Sequence, residues 1–340
     1  MTRLLMLDLL INLRESLIMK DDPFSDFLQL IRARSVMSGG LVAGGSWAID
    51  IPAPDKVKFW GVVRGRCWLL LDGEGTPIPI EQGDVFLLST PRAVVMASDL
   101  GAPHVDLRDV LKHRVEAIAH HGSGDDCFVI GGNVELSADY EQLLLDALPS
   151  FIHVRAGSRR AQTLYWLMNQ LVQEREDDPP GAGVASTQLA HLMFIEILRA
   201  HFDSAESLAA GWLRAVTDKR LAPALRLMHG EPGRSWHLEE LARAAAMSRA
   251  TFALYFKTVA GVAPMTYLTE WRMRLAEQAL RENPVQIGDV GRSLGYTSES
   301  AFSNAFKRVT GHSPIHFKSS SASRGLAPRS SEHAKAARGG

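Results

Sequence analysis

The chain has 340 residues, of which 46% are apolar and 22% charged, as in ordinary folded globular proteins of a size that allows two domains. No uncharged apolar run reaches the ~18 residues that a membrane span needs, so we expect no membrane partner. Two cysteines, Cys67 and Cys127, are too few and too far apart in the sequence for a metal site or a disulfide framework. Their number favours a reducing cytoplasm.

The near-neutral net charge of −1 conceals two halves of opposite sign. Residues 1–210 carry 18 basic and 28 acidic side chains, whereas residues 211–318 carry 15 and 9. An acidic front and a basic back indicate that the back half binds nucleic acid. A solvated charged face without a partner is the alternative at this point.

Residues 1–23 are predicted to be an N-terminal extension. The stretch from Met1 to Met19 is rich in apolar residues, but Asp8, Arg14 and Glu15 interrupt it, unlike the core of a signal peptide. This favours a natural chain that begins at Met19, with an added amphipathic helix as the alternative.

Residues 24–136 contain short β-like runs separated by glycine-containing turns, a spacing that predicts a sandwich or barrel. The predicted strands are Val57–Val63, Arg66–Leu71, Thr76–Ile80, Val85–Leu88, Ala93–Met96 and Cys127–Ile130.

Residues 137–202 have helical periodicity and are predicted to form a helical segment whose apolar faces are covered either by the barrel or, in a dimerisation role, by a second copy of the chain. Its predicted helices are Tyr140–Leu148, Gln162–Gln173 and Thr187–His201, the last apolar on more than one face. Residues 203–211 are predicted to be a linker. Residues 319–340 are predicted to be a disordered basic tail, because they hold almost nothing to bury.

Residues 212–318 contain one pattern twice: a short helix, a tight turn, and a second helix that begins at a serine or threonine cap. The cap is Ser248 in the earlier copy, and in the later copy it lies in the stretch Thr297–Ser300. Each places two phenylalanines inward at i and i+4, and each is followed by a Gly-x-x-Pro exit. These are the features of two helix-turn-helix motifs, whose second helices enter the DNA major groove.

A predicted helix from Met265 to Arg281 joins the two copies. A rigid connection fixes their separation, which should be about 34 Å, one turn of DNA, for both to enter one face of a duplex. With this repeated motif and its joining helix, residues 212–317 resemble the AraC/XylS family of transcription regulators. The resemblance is specific, because a pair of motifs with a joining helix is far rarer than a single motif.

The resemblance implies that the outward face of each second helix reads base edges. In the later copy these positions are Glu299, Ser300, Ser303 and Asn304, and in the earlier copy Ala250, Ala253 and Leu254. Glu and Asn have hydrogen-bond partners on cytosine and adenine, whereas Ala and Leu offer only apolar contact with a thymine methyl. The later copy is therefore predicted to read more of the sequence.

The flanks of the same helices are predicted to contact phosphates through Arg249, Lys257, Lys307 and Arg308, with solvated surface charges as the alternative. Gly291 departs from the family pattern, which usually has alanine there. Because glycine inside a helix costs about 1 kcal/mol relative to alanine, the first helix of the later copy is predicted to be locally soft.

The front half resembles the cupin-type sensor domains that precede such DNA-binding domains. The resemblance rests on Val62–Leu69, Gln82–Leu88 and the pair Gly131-Gly132. Metal-binding cupins place histidines and a glutamate on facing strands, but here those positions hold Phe59 or Trp60 and Val94. We therefore expect no metal and no cofactor. His104, His113, His120 and His121 are predicted to be surface or loop histidines.

The interior of the predicted barrel would be an apolar pocket for a small organic effector, formed by Trp47, Trp60, Trp68 and Phe86. A core that these side chains simply fill is the alternative.

The sequence thus predicts an α+β protein of two domains, a cupin-like β-barrel followed by helices and an all-α domain with two helix-turn-helix motifs joined by a linker helix. We expect a cytoplasmic, homodimeric, sequence-specific regulator of transcription, an activator rather than a repressor, that binds double-stranded promoter or operator DNA and contacts RNA polymerase. The alternatives are a metal-dependent cupin enzyme fused to a DNA-binding module, and a regulator whose barrel only dimerises.

Overall fold

The computed structural model of the protein describes residues 22–112, 114–115, 117–137, 140–204, 208–282 and 285–325. The described residues of Ile31–Ala209 form one compact unit, and residues 22–30 form a second unit with the described residues from Ala210 onward. Residues 1–21 lie outside the described residues, and so does the proposed start at Met19. His113 and the tail beyond Gly325 lie outside them as well.

Helix α1 (Pro23–Leu30) belongs to the second unit although it precedes the first in the sequence. Residue 24, which was predicted to begin the barrel domain, thus lies outside the compact unit that contains the strands. Phe24, Phe27 and Leu28 are buried on one side of α1, which packs against helices from the C-terminal part of the chain. An eight-residue helix is too short to be stable alone, so this packing is what holds it.

The first unit is built on two β-sheets that share one apolar core. The strands are β1 (Arg34–Gly44), β2 (Ala48–Ile51), β3 (Val57–Arg64), β4 (Arg66–Leu71), β5 (Ile78–Glu81), β6 (Val85–Leu88), β7 (Val94–Ala97), β8 (His104–Asp106), β9 (Ile118–Gly122), β10 (Cys127–Glu135) and β11 (Phe151–Val154). One sheet has the order β11-β6-β3-β10-β1-β9 and the other β5-β4-β7-β2-β8. The cupin-like fold class is confirmed.

Five strands were not predicted, because their sequences do not look like strands. β1 contains Ser38-Gly39-Gly40, which resembles a turn but pairs along β10 with an irregular register between Met37 and Gly39. β11 lies inside the segment that was predicted to be helical and pairs antiparallel with β6. β8 and β9 place His104, His120 and His121 in strands, where His104 and His120 are exposed, so of the two predicted alternatives these two are surface histidines and not loop histidines.

Four helices accompany the sheets: α2 (Leu107–Lys112), α3 (Glu141–Leu145), α4 (Ala161–Glu176) and α5 (Ala182–Ser204). α5 packs across β1 and against α4. It continues through Ser204, so the predicted linker at 203–211 begins inside a helix.

The two cysteines meet across the barrel, which their separation in the sequence did not suggest. Cys67 at the start of β4 and Cys127 at the start of β10 are buried free thiols that are hydrogen-bonded to each other. This hydrogen bond and burial raise the pKa of Cys67. Among the described residues, no group of three or more His, Cys, Asp or Glu side chains is placed to hold a metal ion.

The second unit is helical. Besides α1 it contains α6 (Trp212–Thr217), α7 (Ala222–Gly230), α8 (Leu238–Ala244), α9 (Arg249–Ala260), α10 (Pro264–Glu282), α11 (Ile287–Ser293), α12 (Glu299–Thr310) and α13 (Pro314–Gly325). The predicted linker helix is α10, which contacts both α9 and α12. No helix in the described ranges is long and apolar enough to cross a membrane.

Candidate nucleic-acid interface and barrel cavity

The two candidate reading helices, α9 and α12, begin and end in the same way. Ser248 Oγ accepts a hydrogen bond from Thr251 N–H, and Ser298 Oγ accepts one from Ala301 N–H, both at 3.2 Å. Each helix ends at a glycine in the left-handed region, Gly261 at φ 77° and Gly311 at φ 81°. The predicted caps and glycine exits are therefore present in both copies, and the cap of the later copy is Ser298.

The turns that precede these helices also share one hydrogen-bond pattern. Met247 N–H donates to Ala242 O and Tyr296 N–H donates to Gly291 O, each at 2.9 Å. This bond closes the turn after a helix only when the intervening residue is left-handed. That residue is Gly295 at φ 85° in the later copy but Ala246 at φ 52° in the earlier one.

The inward faces hold the predicted phenylalanine pairs, and all four rings are fully buried. Phe252 and Phe256 pack edge to face with centroids 5.5 Å apart, and Phe302 and Phe306 pack at 5.7 Å. Burying these pairs fixes which side of each helix faces solvent.

The solvent face of α12 is polar. Glu299, Ser300 and Asn304 are exposed and Ser303 is half-buried, so all four predicted base-reading positions lie on the accessible side. Glu299 bends back toward α11, because a Cβ built on Gly288 would lie only 2.9 Å from its Oε2 atom.

The solvent face of α9 is apolar at the equivalent positions. Ala250 is exposed, Ala253 is half-buried, and Leu254 has 71% of its surface exposed. A leucine this exposed has no packing role in the free protein, but it offers an apolar surface to a thymine methyl.

The predicted phosphate-contacting residues are exposed around the same two helices. Arg249 forms an ion pair with Glu239 of α8, at 2.9 Å between Nη1 and Oε1. Among the described residues, Lys257, Lys307 and Arg308 have no ion-pair partner. These three cations are free to meet phosphate oxygens without first breaking an internal pair.

Gly291 is in tight contact rather than loosely packed. A Cβ at this position would lie 2.9 Å from both Cβ and Cγ of Phe302, a distance that real side chains do not tolerate. The equivalent residue in the earlier copy is Ala242, which is buried. The missing methyl group thus lets α11 approach α12 closely, which was not foreseen when softness was predicted for this helix.

A buried polar cluster connects α1 to the other helices of the second unit. His229 of α7 is hydrogen-bonded through Nδ1 to Asp26 Oδ2 at 2.8 Å and through Nε2 to the Tyr267 hydroxyl at 3.0 Å, and its ring stacks on Trp271 with centroids 4.0 Å apart. Burial lowers the pKa of His229, against the opposing effect of Asp26. Sequence reasoning missed this cluster because its members lie far apart along the chain.

The four residues predicted to form an effector pocket occupy different places in the first unit. Trp60 lines a cavity between the sheets, and Phe86 stacks behind it with ring centroids 5.2 Å apart. Trp47 is buried in the core. Trp68 has 41% of its surface exposed, so it points away from the interior.

The cavity has a volume of about 160 Å³ and an unexpected polar group on its wall. Lys58 lies on β3 two residues before Trp60, so both side chains face the same side of the strand. Sequence reasoning overlooked Lys58 because a charged residue near a strand end usually faces solvent. The spacing of Lys58, Trp60 and Val62 by two residues could have shown that Lys58 shares the inward face of the strand.

Known proteins similar to this chain are regulators of transcription. A family model described as a cupin matches residues 22–203, and one described as a helix-turn-helix domain matches residues 241–320. A putative AraC-like transcription regulator of Streptomyces antibioticus is 42% identical over 87% of this chain and 98% of its own length. The RCS-specific HTH-type transcriptional activator RclR of Escherichia coli is 26% identical over 87% of this chain and 97% of its own length.

Among solved structures, the DNA-binding domain of the global transcriptional factor AdpA, in complex with a target DNA, is similar to the C-terminal part. It is 27% identical and covers 32% of this chain and 96% of that one, with a TM-score of 0.30.

Proposed function

We propose, from the premise that this chain belongs to the AraC-like family of transcription regulators, that a small organic effector in its N-terminal barrel controls how its C-terminal helices act on DNA. The chain is a transcription regulator with a helix-turn-helix DNA-binding domain. Since its relatives are regulators, the prediction that it is not an enzyme is confirmed, and the alternative of a cupin enzyme is discarded.

The proposed DNA binding rests on two reading helices that have the same caps, exits and inward rings but different outward residues. α9 and α12 share their caps, exits and inward phenylalanines, so both present an outward face from the same kind of scaffold. The face of α12 carries hydrogen-bonding groups, whereas that of α9 is apolar. We propose that α12 provides most of the hydrogen-bond readout of bases and that α9 contributes apolar contacts and phosphate binding.

The test is a binding-site selection with the full chain and with two variants. Asn304→Ala should lose discrimination at one or two base pairs, at a cost of about 1–3 kcal/mol, because the amide that would pair with a base is gone. Ala253→Ser, which adds a hydroxyl at the equivalent of Ser303, should change the selected sequence little.

A third variant separates base reading from general affinity. Lys307→Ala should weaken binding to all sequences alike and reduce its salt dependence, because a phosphate contact carries no sequence information. Equal loss of discrimination in Asn304→Ala and Ala253→Ser would contradict the proposed asymmetry.

The effector side of the proposal is supported by the cavity beside Trp60, the one predicted pocket residue that lines it. Apolar walls with few polar groups are typical of sites for small organic molecules. A bound effector would favour one of two arrangements of the protein by its difference in affinity for them.

We propose a homodimer in the cytoplasm, in which helices α4 and α5 form the contact. Exposed apolar side chains support this, since Trp166 on α4 is 54% exposed and Val184 on α5 is 70% exposed. We also propose that the protein activates transcription through RNA polymerase, as the word activator in the name of the Escherichia coli relative suggests.

A further inference from the structure

Lys58 is placed as a ligand-binding group rather than as a surface charge. Trp60 and Val62, on the same face of β3, belong to the core between the sheets. Lys58 continues that row to the rim of the cavity, half-buried, with its Nζ 5.3 Å from the centre of the Trp60 ring. Burial lowers the pKa of Lys58, and nearby Asp55 opposes that change only partly.

The space next to Lys58 exists in part because the inward position opposite Trp60 lacks a side chain. Gly131 of β10 lies opposite Trp60 in the register, and Gly39 of β1 lies opposite Gly131. A Cβ on Gly131 would be 3.1 Å from the Trp60 ring and would begin to fill the cavity. The remaining walls include Ile51 and Met96, so they are largely apolar.

Among the described residues that line the cavity, the charged groups are both cations. Arg114 is the second, and no aspartate or glutamate is present in that lining. In the described part of the chain, Lys58 has no ion-pair partner. Asp55 offsets only part of the cost of burying the Lys58 ammonium, and an anionic ligand in the cavity would offset more of it.

We infer that this cavity binds a small monocarboxylic acid with a compact apolar body, whose carboxylate pairs with Lys58 and whose body lies against Trp60. The inference rests on the proposed effector-binding function and names the chemical class of the effector. Arg114 provides a second cation on the cavity wall.

The volume sets the size of the ligand. A cavity of about 160 Å³ is close to the ~150 Å³ of an engineered apolar cavity that holds benzene. The apolar body should therefore be no larger than one six-membered ring. Sugars and other polyols fit poorly, because the lining has few groups to satisfy their hydroxyls, and the Ser38 hydroxyl already donates to Gly131 O at 2.9 Å.

Calorimetric titration of the purified full chain with phenylacetate and with its neutral amide, phenylacetamide, tests the inference. The two probes have nearly the same shape and differ in charge. We expect phenylacetate to bind at least about tenfold more tightly, because a hydrogen bond to a charged group contributes roughly 1.5–3 kcal/mol. Lys58→Met should remove this preference, and Lys58→Arg should retain most of it.

Lys56→Met is the matched control, because Lys56 is exposed and pairs with Glu135 at 2.8 Å on the surface. It removes one positive charge close by in the sequence but outside the cavity, and should leave phenylacetate binding unchanged. Thermal unfolding of each variant checks that the barrel still folds.

Equal binding of the acid and the amide, or unchanged acid binding in Lys58→Met, would overturn the assignment of a carboxylate ligand while leaving an effector-binding barrel in place. Failure of both probes to bind the wild-type chain would overturn the size and the class together. Neither outcome touches the DNA-binding function, which the site selection measures separately.

Discussion

Gly291 shows how one missing methyl group sets the distance between two helices. Alanine is the better helix former by about 1 kcal/mol, and the earlier copy has Ala242 at the equivalent position. At position 291, however, the added methyl would meet the Cβ and Cγ atoms of Phe302, which are not free to move away. The glycine that looked like a weakness in α11 is required by the ring that it packs against.

We therefore expect Gly291→Ala to lower the free energy of unfolding by about 1–2 kcal/mol, because overpacking exceeds the gain in helix propensity. The reciprocal change, Ala242→Gly, should also destabilise, by about 1 kcal/mol, through lost propensity. Denaturant unfolding of both variants measures this. Stabilisation by Gly291→Ala would show that α11 is soft, as the sequence alone suggested.

His229 makes stability depend on pH at the level of a single residue. Its pKa is lowered in the folded chain by burial, so the folded state binds a proton less readily than the unfolded state. The stability that depends on neutral His229 is present at a pH above about 6.5, the pKa of histidine in the unfolded chain. This stability is lost as the pH falls below that pKa.

We expect the wild type to lose about 1 kcal/mol more stability than His229→Gln between pH 8 and pH 5.5, since glutamine does not titrate. Urea unfolding of both proteins at the two pH values gives the difference. An equal loss in the two proteins would mean that His229 accepts a proton in the folded state, through its bond to Asp26.

At the scale of elements, the two helix-turn-helix turns reach one geometry with different residues. Gly295 adopts its left-handed conformation without strain. Its Cα packs closely against the backbone of Gly233, since a Cβ at position 295 would be 2.2 Å from Gly233 O. Ala246 adopts a similar conformation at a cost of roughly 1–2 kcal/mol. The earlier copy therefore holds its reading helix on a strained turn.

Ala246→Gly should stabilise the protein by about 1 kcal/mol, because it relieves this strain at an exposed position. Gly295→Ala should destabilise it, through both the left-handed conformation and the clash with Gly233 O. Thermal unfolding of the two variants checks the opposite signs. A loss of stability in Ala246→Gly would show that the flexibility added to the unfolded chain outweighs the strain that is relieved.

At the scale of the whole molecule, the division of the chain does not follow the order of the sequence. α1 precedes the barrel but packs with the helices of the second unit, where Phe27 is fully buried and Asp26 is bonded to His229. The acidic front half thus contributes a segment to the basic back half.

Phe27→Ala should lower the protection of amides in α6 and α7 against hydrogen exchange, because α1 packs on these helices and the truncation leaves a cavity that costs about 3–5 kcal/mol. Protection in the strands of the first unit should stay unchanged. Hydrogen exchange followed by mass spectrometry resolves the two regions. Loss of protection in the strands instead would place α1 with the barrel.

The sequence by itself determined the features that depend on neighbouring residues. The serine caps, the glycine exits and the phenylalanine pairs of α9 and α12 follow from the spacing within one or two helical turns, and they predicted both the motifs and their outward faces. The strands with alternating or continuous apolar runs were found for the same reason.

Only the tertiary structure decided which distant residues meet. The partnership of Asp26 with His229, the contact of Cys67 with Cys127, and the clash that keeps Gly291 a glycine all join segments that have no local signal of each other. Lys58 is the clearest case. Its place on the inward face of β3 can be seen in the sequence, but the room beside it depends on Gly131 of β10, and only the register of the two strands brings that space to the lysine.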